Sequence, residues 1–347
     1  VNILIPGGCG FVGTNLALYF TKLGHKVLCV DPIYRPENQR NYQYLRLNGI
    51  AVKECPIGDM TASYLSDGSS KPHIILNCAA QSSAVASMEN PTTDFDNNVA
   101  EVVWILKLCR ELDCSLIQWS SNKVYPGEYV NEFNLVEELT RFRVETTFKV
   151  SDSYNAASGL PRTIYGNSKY VAEEVIKEWA RAYDLRVIIN RFSCIAGPNQ
   201  MASVEQGWAM RLMLAHYFDL PFTYYGWGGK QVRDVLYVGD LCRLINAQAH
   251  ALLRSGSICE TYDVGGGINN TISLREAATL CENITKIVVE KDNARPRPYD
   301  QHVFVSNIER ISRDFAWEPR ISVCNTFENL YDWIAEHERQ LKYWLNL

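Results

Sequence analysis

The sequence predicts an α/β fold, a doubly wound parallel sheet with a smaller α/β lobe on its C-terminal side, and three observations carry that expectation. Short β-branched runs alternate with amphipathic helical stretches through the first half of the chain, as right-handed βαβ units require. The first of these runs opens into a glycine-rich turn and then a helical pattern. After about residue 192 the alternation weakens: glycine and proline cluster at AGPNQ and YYGWGGK, and isolated helical stretches such as GDLCRLINAQAHALL and SLREAATLCENI remain. The expected division is 1–192 for the doubly wound domain and 193–347 for a lobe that covers its strand ends and is interleaved with it.

In chain order, the strand candidates are NILI, KVLCV, AVKEC, HIILNCA, SLIQWS and RVIINRF, all rich in valine, isoleucine or leucine. Between them, FVGTNLALYFTKLG, NVAEVVWILKLCREL and IYGNSKYVAEEVIKEWARAY hold apolar residues at helical spacing and stop near Gly24, Asp113 and Asp184. A long polar stretch, 127–160, precedes the last of these helices. Connections of that length inside compact domains usually serve function, so it is expected at a substrate pocket or an oligomer contact.

Composition narrows the function classes. With 347 residues the chain can bury a large core, and a net charge of -5 gives no phosphate-tracking surface, which argues against nucleic acid as a partner. The eleven cysteines are scattered singly, without a CxxC pair, and only six histidines accompany them. Reduced, buried thiols fit better than disulfides or a metal site, and they suggest a cytoplasmic protein. The N-terminal apolar run is too short for a signal peptide, and no stretch approaches the ~20 apolar residues of a membrane span. A soluble protein with no metal and no membrane partner is expected.

The turn PGGCGFVG sets Gly7, Gly10 and Gly13 between NILI and a helix, where glycines permit a tight turn and let backbone N–H groups approach a pyrophosphate. Asp31 ends the second strand, eighteen residues after Gly13, where a carboxylate accepts hydrogen bonds from both adenosine ribose hydroxyls. A carboxylate there repels a 2′-phosphate, so NAD is favoured over NADP, although Arg35 nearby keeps the second cofactor open. The pattern reads as a Rossmann-type NAD site.

Tyr165 and Lys169 stand at i and i+4 near the start of a helical segment, so both project from one face. A lysine's charge lowers a neighbouring phenol and can also hold a nicotinamide ribose, which makes the tyrosine a general base. Ser121 leaves the preceding strand at its C-terminal end, where open α/β sheets bind ligands, and can hold a substrate oxygen.

Together GGCGFVG, Asp31, GDM at 58–60, CAAQ at 78–81, Asn98, SSNKVY, YGNSK and RDVLYVGD make the chain similar to the extended short-chain dehydrogenase/reductases that act on nucleotide-sugars, from Val1 to about residue 325. Within that family, SSNKVY, NEFNLVEELTRF, GPNQ followed by EQGW, and GWGGKQVRDVL resemble the CDP-paratose 2-epimerases, also called tyvelose epimerases. The resemblance implies a catalytic set of Ser121, Tyr165 and Lys169. For the cofactor it implies contacts from Gly7, Gly10, Phe11, Val12, Gly13 and Asp31. Asp59 would meet the adenine and Ala79, Ala80 and Gln81 the central phosphates and ribose, with Met60 and Ser120 as further cofactor contacts. Asn98, also counted among the cofactor contacts, would brace the active-site helix. For the substrate it implies Arg233 and Arg297 on the diphosphate and ribose, Asp300 on that ribose, and Asn122, Lys123, Ser193 and Gln206 around the sugar. Relatives pair through two long helices, here 94–112 and 163–183, so a homodimer or homotetramer is implied; Trp104 and Leu108 on the first fit such a contact and fit a place in the core equally well.

The reaction is narrowed by two positions. Relatives that eliminate water carry Asp and Glu after the serine or threonine, whereas here Asn122 and Lys123 follow Ser121. An amide donates no acidic proton and a lysine is no carboxylate base. Oxidation to a ketosugar and return of hydride to the opposite face, at C2 of a CDP-linked sugar, is the expected outcome. A 4,6-dehydratase, another NAD-dependent lyase or oxidoreductase, and a non-catalytic NAD-binding protein are the alternatives. Pro6, Pro126 and Cys194 depart from the family pattern, where threonine, glycine and asparagine are usual.

Overall fold

The computed structural model describes residues 1–65, 71–127, 135–144, 162–203, 205–345 and 347. Of the long polar stretch 127–160, the parts 128–134 and 145–160 lie outside the described residues; the part between forms an antiparallel hairpin of Leu135–Glu137 with Phe142–Val144.

Seven parallel strands form the main sheet, in the spatial order Ile258–Val264, Arg186–Phe192, Ser115–Ser121, Ile74–Asn77, Asn2–Pro6, Lys26–Asp31 and Ala51–Glu54. Ser115–Ser121 is buried at every position because layers cover both of its faces, which is why SLIQWS reads as a continuous run and not an alternating one. One face packs Ile3, Leu76, Ile117 and Ile188 against Leu16 and Leu244; the other packs Leu4, Ile75, Leu116 and Val187 against Ile105 and Ile176. Strand order reverses between Asn2–Pro6 and Ile74–Asn77, so the connections leaving these two strands diverge and open a crevice at their C-terminal ends. Pro6 sits at this strand end. Its carbonyl accepts from the Cys78 N–H at 2.9 Å, and its lack of a donor falls where the chain turns away.

The chain does not leave this sheet for good at residue 192. Helix Val238–Leu252 sets Leu241, Leu244 and Ile245 into the same core as Ile3, and Ile258–Val264 then pairs with Arg186–Phe192 along its whole length. The outer lobe is therefore threaded through the sheet domain. Its centre is strand Val232–Tyr237, which pairs with Cys194–Ala196 and Val303–Phe304 in parallel and with Thr271–Ser273 in antiparallel fashion. Helices Trp208–Tyr217, Leu274–Thr285 and Val323–Glu336 close a second core of Met210, Met213, Phe327, Leu330 and Ile334. Leu274–Thr285 opens on a capping box between Ser273 and Glu276, and the Glu276 carboxylate also accepts from Arg141 Nε at 2.8 Å, which docks the hairpin.

Two helices differ from expectation. Pro36–Leu47 is too polar to show an apolar stripe, because its inward face works by hydrogen bonds: Asn41 donates to the Cys9 carbonyl at 3.0 Å and Arg40 lies 5.0 Å from the Trp333 ring. The helix expected over 98–112 begins earlier and contains an irregular turn, running as Pro91–Phe95, a π turn Asp96–Ala100, and Glu101–Leu112. Its Leu108 is core, while Trp104 stays 43% exposed under the Lys107 ammonium.

All eleven cysteines are free thiols. Among the described residues no helix is long and apolar enough to cross a membrane, and no group of histidine, cysteine and acidic side chains is placed to hold a metal.

Candidate active site

A cavity of about 670 Å³ opens at the crevice and is walled by both lobes. Its floor begins at Gly7, which turns the chain with φ 70°; a Cβ there would meet the Ala79 nitrogen at 2.5 Å. Only glycine lets the first and fourth strand ends come this close. Helix Phe11–Lys22 then starts at Gly10 with no side-chain cap and no acid in its first turn, leaving N–H groups and the positive helix end for an anion. Gly10, Phe11, Val12 and Gly13 line the cavity, with Ala79 and Ala80 across the crevice.

Asp31 is 1% exposed and accepts from Ile33 N at 2.9 Å, Asn38 Nδ2 at 3.0 Å and Cys9 N at 3.1 Å. Burial pushes its carboxyl pKa up, and these donors pull it back. The carboxylate is thereby aimed at the glycine turn, with acceptor capacity left on Oδ2 for a ribose hydroxyl. Glycine cradle, uncapped helix start and buried acceptor fit the pyrophosphate and adenosine ribose of a dinucleotide.

Four residues expected at the cofactor do not line the cavity. The short turn Ile57–Asp59 leaves Asp59 exposed and directs Met60 into the core, so Pro56 and Ile57 form that wall. Gln81 turns inward and donates to Asp94 Oδ1 at 2.6 Å. The π turn presents Asn97 to the cavity and points Asn98 away, where it donates to Ser168 Oγ at 3.0 Å; Ser168 in turn donates to the Tyr165 carbonyl at 2.9 Å. Gln81 and Asn98 thus stand behind the active-site helix.

That helix, Ile164–Tyr183, is capped by Thr163, whose Oγ1 accepts from Gly166 N at 2.9 Å. The strand Ser115–Ser121 ends in a tight turn, Asn122–Val124, capped by the Ser121 hydroxyl, which accepts from Lys123 N at 3.2 Å. Gly166 joins the two: a Cβ there would meet the Lys123 carbonyl oxygen at 2.1 Å, so any side chain would push the helix start off the turn. Ser120, Ser121, Asn122, Lys123, Tyr165 and Lys169 share the cavity wall.

Burial pushes the Tyr165 phenol up to about 12; a hydrogen bond with Ser121 pulls it down and Asp94 pushes it further up. The lowered phenol expected from the lysine is therefore not found. Lys169 itself is lowered to about 8 by burial, against the opposing pull of Asp94, Glu101 and Glu173. Below about pH 8 the lysine keeps its charge, and above it the charge is lost. We expect kcat/KM to decline as pH rises through about 8, and the decline to move upward in Lys169→Arg, whose charge does not titrate. An unmoved alkaline limb in that variant would assign it to another group.

The residues expected at the substrate gather at the other end. Lys123 Nζ and Arg233 Nη2 both donate to Asp300 Oδ1, at 2.9 and 2.8 Å. Burial opposes the Asp300 charge, but Lys123 and Arg233 hold the carboxyl well below its usual range. Ser193 donates to the Asp234 carbonyl at 3.3 Å, and Gln206 donates to Ser82 Oγ at 2.7 Å across the cavity mouth. The Arg297 guanidinium lies 4.7 Å from the Tyr225 ring. Cys194 lines the wall and accepts from Trp208 Nε1 at 3.2 Å. Pro126 is buried beside Gly127, which abuts the Tyr299 backbone; nothing further in the structure explains the proline.

Sequence reasoning missed the acids around Lys169, the buried Arg191, and Arg211 in the cavity wall. Glu173 had a signal, since Tyr165, Lys169 and Glu173 follow one another at four-residue steps. Asp94 and Glu101 come from another helix and had none.

Residues 3–265 match the model of the NAD dependent epimerase/dehydratase family. The chain is 29% identical to CDP-paratose 2-epimerase of Salmonella typhi, over 96% of this chain and 99% of that protein. It is 23% identical to dTDP-glucose 4,6-dehydratase of Salmonella typhimurium, over 95% and 90% respectively. Among solved structures, UDP-glucose 4-epimerase of Thermotoga maritima with UDP-glucose superposes with a TM-score of 0.78 at 22% identity, covering 97% of this chain and 100% of that one. UDP-glucuronic acid 4-epimerase of Bacillus cereus, in complex with UDP-glucuronic acid and NAD, gives 0.79 at 21%, covering 97% and 99%.

Proposed function

The chain belongs to the NAD dependent epimerase/dehydratase family, and from that premise we propose that it inverts carbon 2 of a CDP-linked sugar through a transient ketosugar. One observation carries the choice of epimerisation over elimination: Asn122 and Lys123 follow Ser121, and Lys123 is tied to Asp300. A 4,6-dehydratase needs a carboxylic acid there to protonate a leaving hydroxyl and a carboxylate to deprotonate carbon, and an amide and a tethered ammonium do neither. The likeness to CDP-paratose 2-epimerase over nearly the whole chain supports the nucleotide and the carbon.

Ser121 holds the sugar hydroxyl and Tyr165 takes its proton. Lys169, kept cationic by Asp94, Glu101 and Glu173, binds the nicotinamide ribose and steadies the tyrosinate. When bound, NAD would supply a hydride acceptor and a positive charge, which would favour the tyrosinate over the phenol that burial pushes up to about 12. After the ketone has turned its other face, the same hydride would go back to carbon 2 as Tyr165 returns the proton to the oxygen, so atoms and electrons balance without consumption of cofactor. Gly7, Gly10, Gly13 and Asp31 hold the dinucleotide, with Phe11, Val12, Ala79, Ala80 and Ser120 lining it. Arg233, Arg297, Lys123 and Asp300 hold the nucleotide-sugar, with Asn122, Ser193 and Gln206 beside them. We further propose a homodimer or homotetramer joined through helices 94–112 and 163–183, a reading that the exposed Trp104 supports, and action in the cytoplasm, which eleven reduced thiols suit.

The test is NMR of the NAD-loaded protein with CDP-, UDP-, GDP- and dTDP-sugars in deuterated water. The expected result is inversion at C2 of a CDP-sugar, no deuterium in the product and no net change in NAD. Deuterium at C5 or C6, or loss of water from the sugar, would sink direct hydride return and favour a dehydratase.

A further inference from the structure

Helix Trp208–Tyr217 carries a cation that the mechanism above does not use. Arg211, one turn inside the helix, lines the cavity beside Phe222, Tyr225 and Arg297. It is hydrogen-bonded with Tyr225 and its guanidinium lies 5.4 Å from the Phe222 ring. Among the described residues no carboxylate forms an ion pair with it. Burial lowers its pKa, Tyr225 opposes this, and the charge of Arg297 lowers it further, so two guanidinium groups stand close enough in one wall to repel.

A second feature of the same wall has the same sign. The helix is ten residues long and begins at Gly207, which offers no side-chain cap, with no acid in the first turn. Gly207, Trp208 and Ala209 line the cavity, so the positive end of the helix and its free N–H groups face the space that Arg211 overlooks. Arg233, by contrast, already gives Nη2 to Asp300 and Nη1 to the Val232 carbonyl at 2.7 Å. A compact dianion between Arg211 and Arg297 would relieve their repulsion and satisfy the helix end together.

We propose that Arg211 is a substrate-binding residue which, with Arg297 and the first turn of its own helix, clamps the diphosphate of the nucleotide-sugar. The inference rests on the nucleotide-sugar reading of the cavity and adds a residue to it. The clamp is selective for the diphosphate and not for the base, because a guanidinium fork matches phosphate oxygens in pairs.

The test is calorimetric titration of the NAD-loaded protein with CDP, UDP, GDP and dTDP, and with cytidine. Arg211→Met keeps an unbranched apolar stem and removes the guanidinium and its charge. It should weaken the preferred nucleoside diphosphate by about 10- to 100-fold, flatten the salt dependence of binding, and leave any cytidine binding little changed. NAD content and melting temperature report folding, and if Arg211→Met fails to fold, Arg211→Gln reads the same loss. Equal affinity of wild type and variant for the diphosphate overturns the clamp alone. Equal loss of cytidine and diphosphate also overturns it, in favour of a base contact. If wild type binds none of the four diphosphates, the nucleotide-sugar reading falls and the clamp falls with it.

Discussion

Replacement of Tyr165 by phenylalanine should lower turnover by roughly 100- to 10,000-fold while NAD stays bound. The ring occupies a buried position at the start of helix Ile164–Tyr183, and phenylalanine fills nearly the same volume, so packing around the cofactor is retained. What disappears is the hydroxyl hydrogen-bonded with Ser121. No other phenol or carboxylate lies within the Asn122–Val124 turn to replace it as base. The variant should melt at nearly the wild-type temperature and release the same amount of NAD on denaturation. Near-normal turnover in a variant that meets both conditions would remove Tyr165 from the chemistry.

The second large effect is on stability. Arg191 is buried and donates to Glu173 with Nε at 3.0 Å and Nη2 at 2.6 Å, and to Tyr125 with Nη1 at 2.8 Å; Tyr125 donates onward to Asp263 at 2.9 Å. Burial disfavours the guanidinium charge, but Glu173 more than offsets it. Arg191→Met should cost about 3–5 kcal/mol, because it leaves the Glu173 carboxylate, only 1% exposed, without its main partner. For a chain of this size that is a fall of roughly 4–7 °C in melting temperature. Adding Glu173→Leu should recover much of the loss, since the stranded charge is then gone. A double variant as unstable as the single one would show that the cavity, not the charge, sets the cost.

How far the sequence discloses all this depends on whether a residue's partner is local. NILI, the glycine turn and helix Phe11–Lys22 are legible because strand, turn and helix each obey a short period. Tyr165 and Lys169 are legible because four-residue spacing on a helix already places them side by side. Asp59, Met60, Gln81 and Asn98 were expected in the cofactor wall, and their directions are set by features with no sequence period: a single 3-10 turn for the first two, a hydrogen bond to Asp94 for Gln81 and a single π turn for Asn98. Pro36–Leu47 escaped notice because its inward face is Arg40 and Asn41 as well as Leu45. Arg211 had no signal because the groups that give it meaning, Tyr225 and Arg297, come from other segments.

Strand Ile258–Val264 was missed for a related reason: ICETYDV mixes Glu260 and Asp263 with its apolar residues and stands at the sheet edge, far along the chain from its neighbour. Its place has a consequence for synthesis. A chain emerging from the ribosome completes Arg186–Phe192 early, yet the strand that covers that edge arrives only after much of the outer lobe has been made. Until then the nascent sheet presents an open row of backbone donors and acceptors, the kind of edge that pairs with other chains. The helix Val238–Leu252, emerging just before it, delivers the missing strand to that edge, so the sheet closes only after a detour of the chain through the outer lobe.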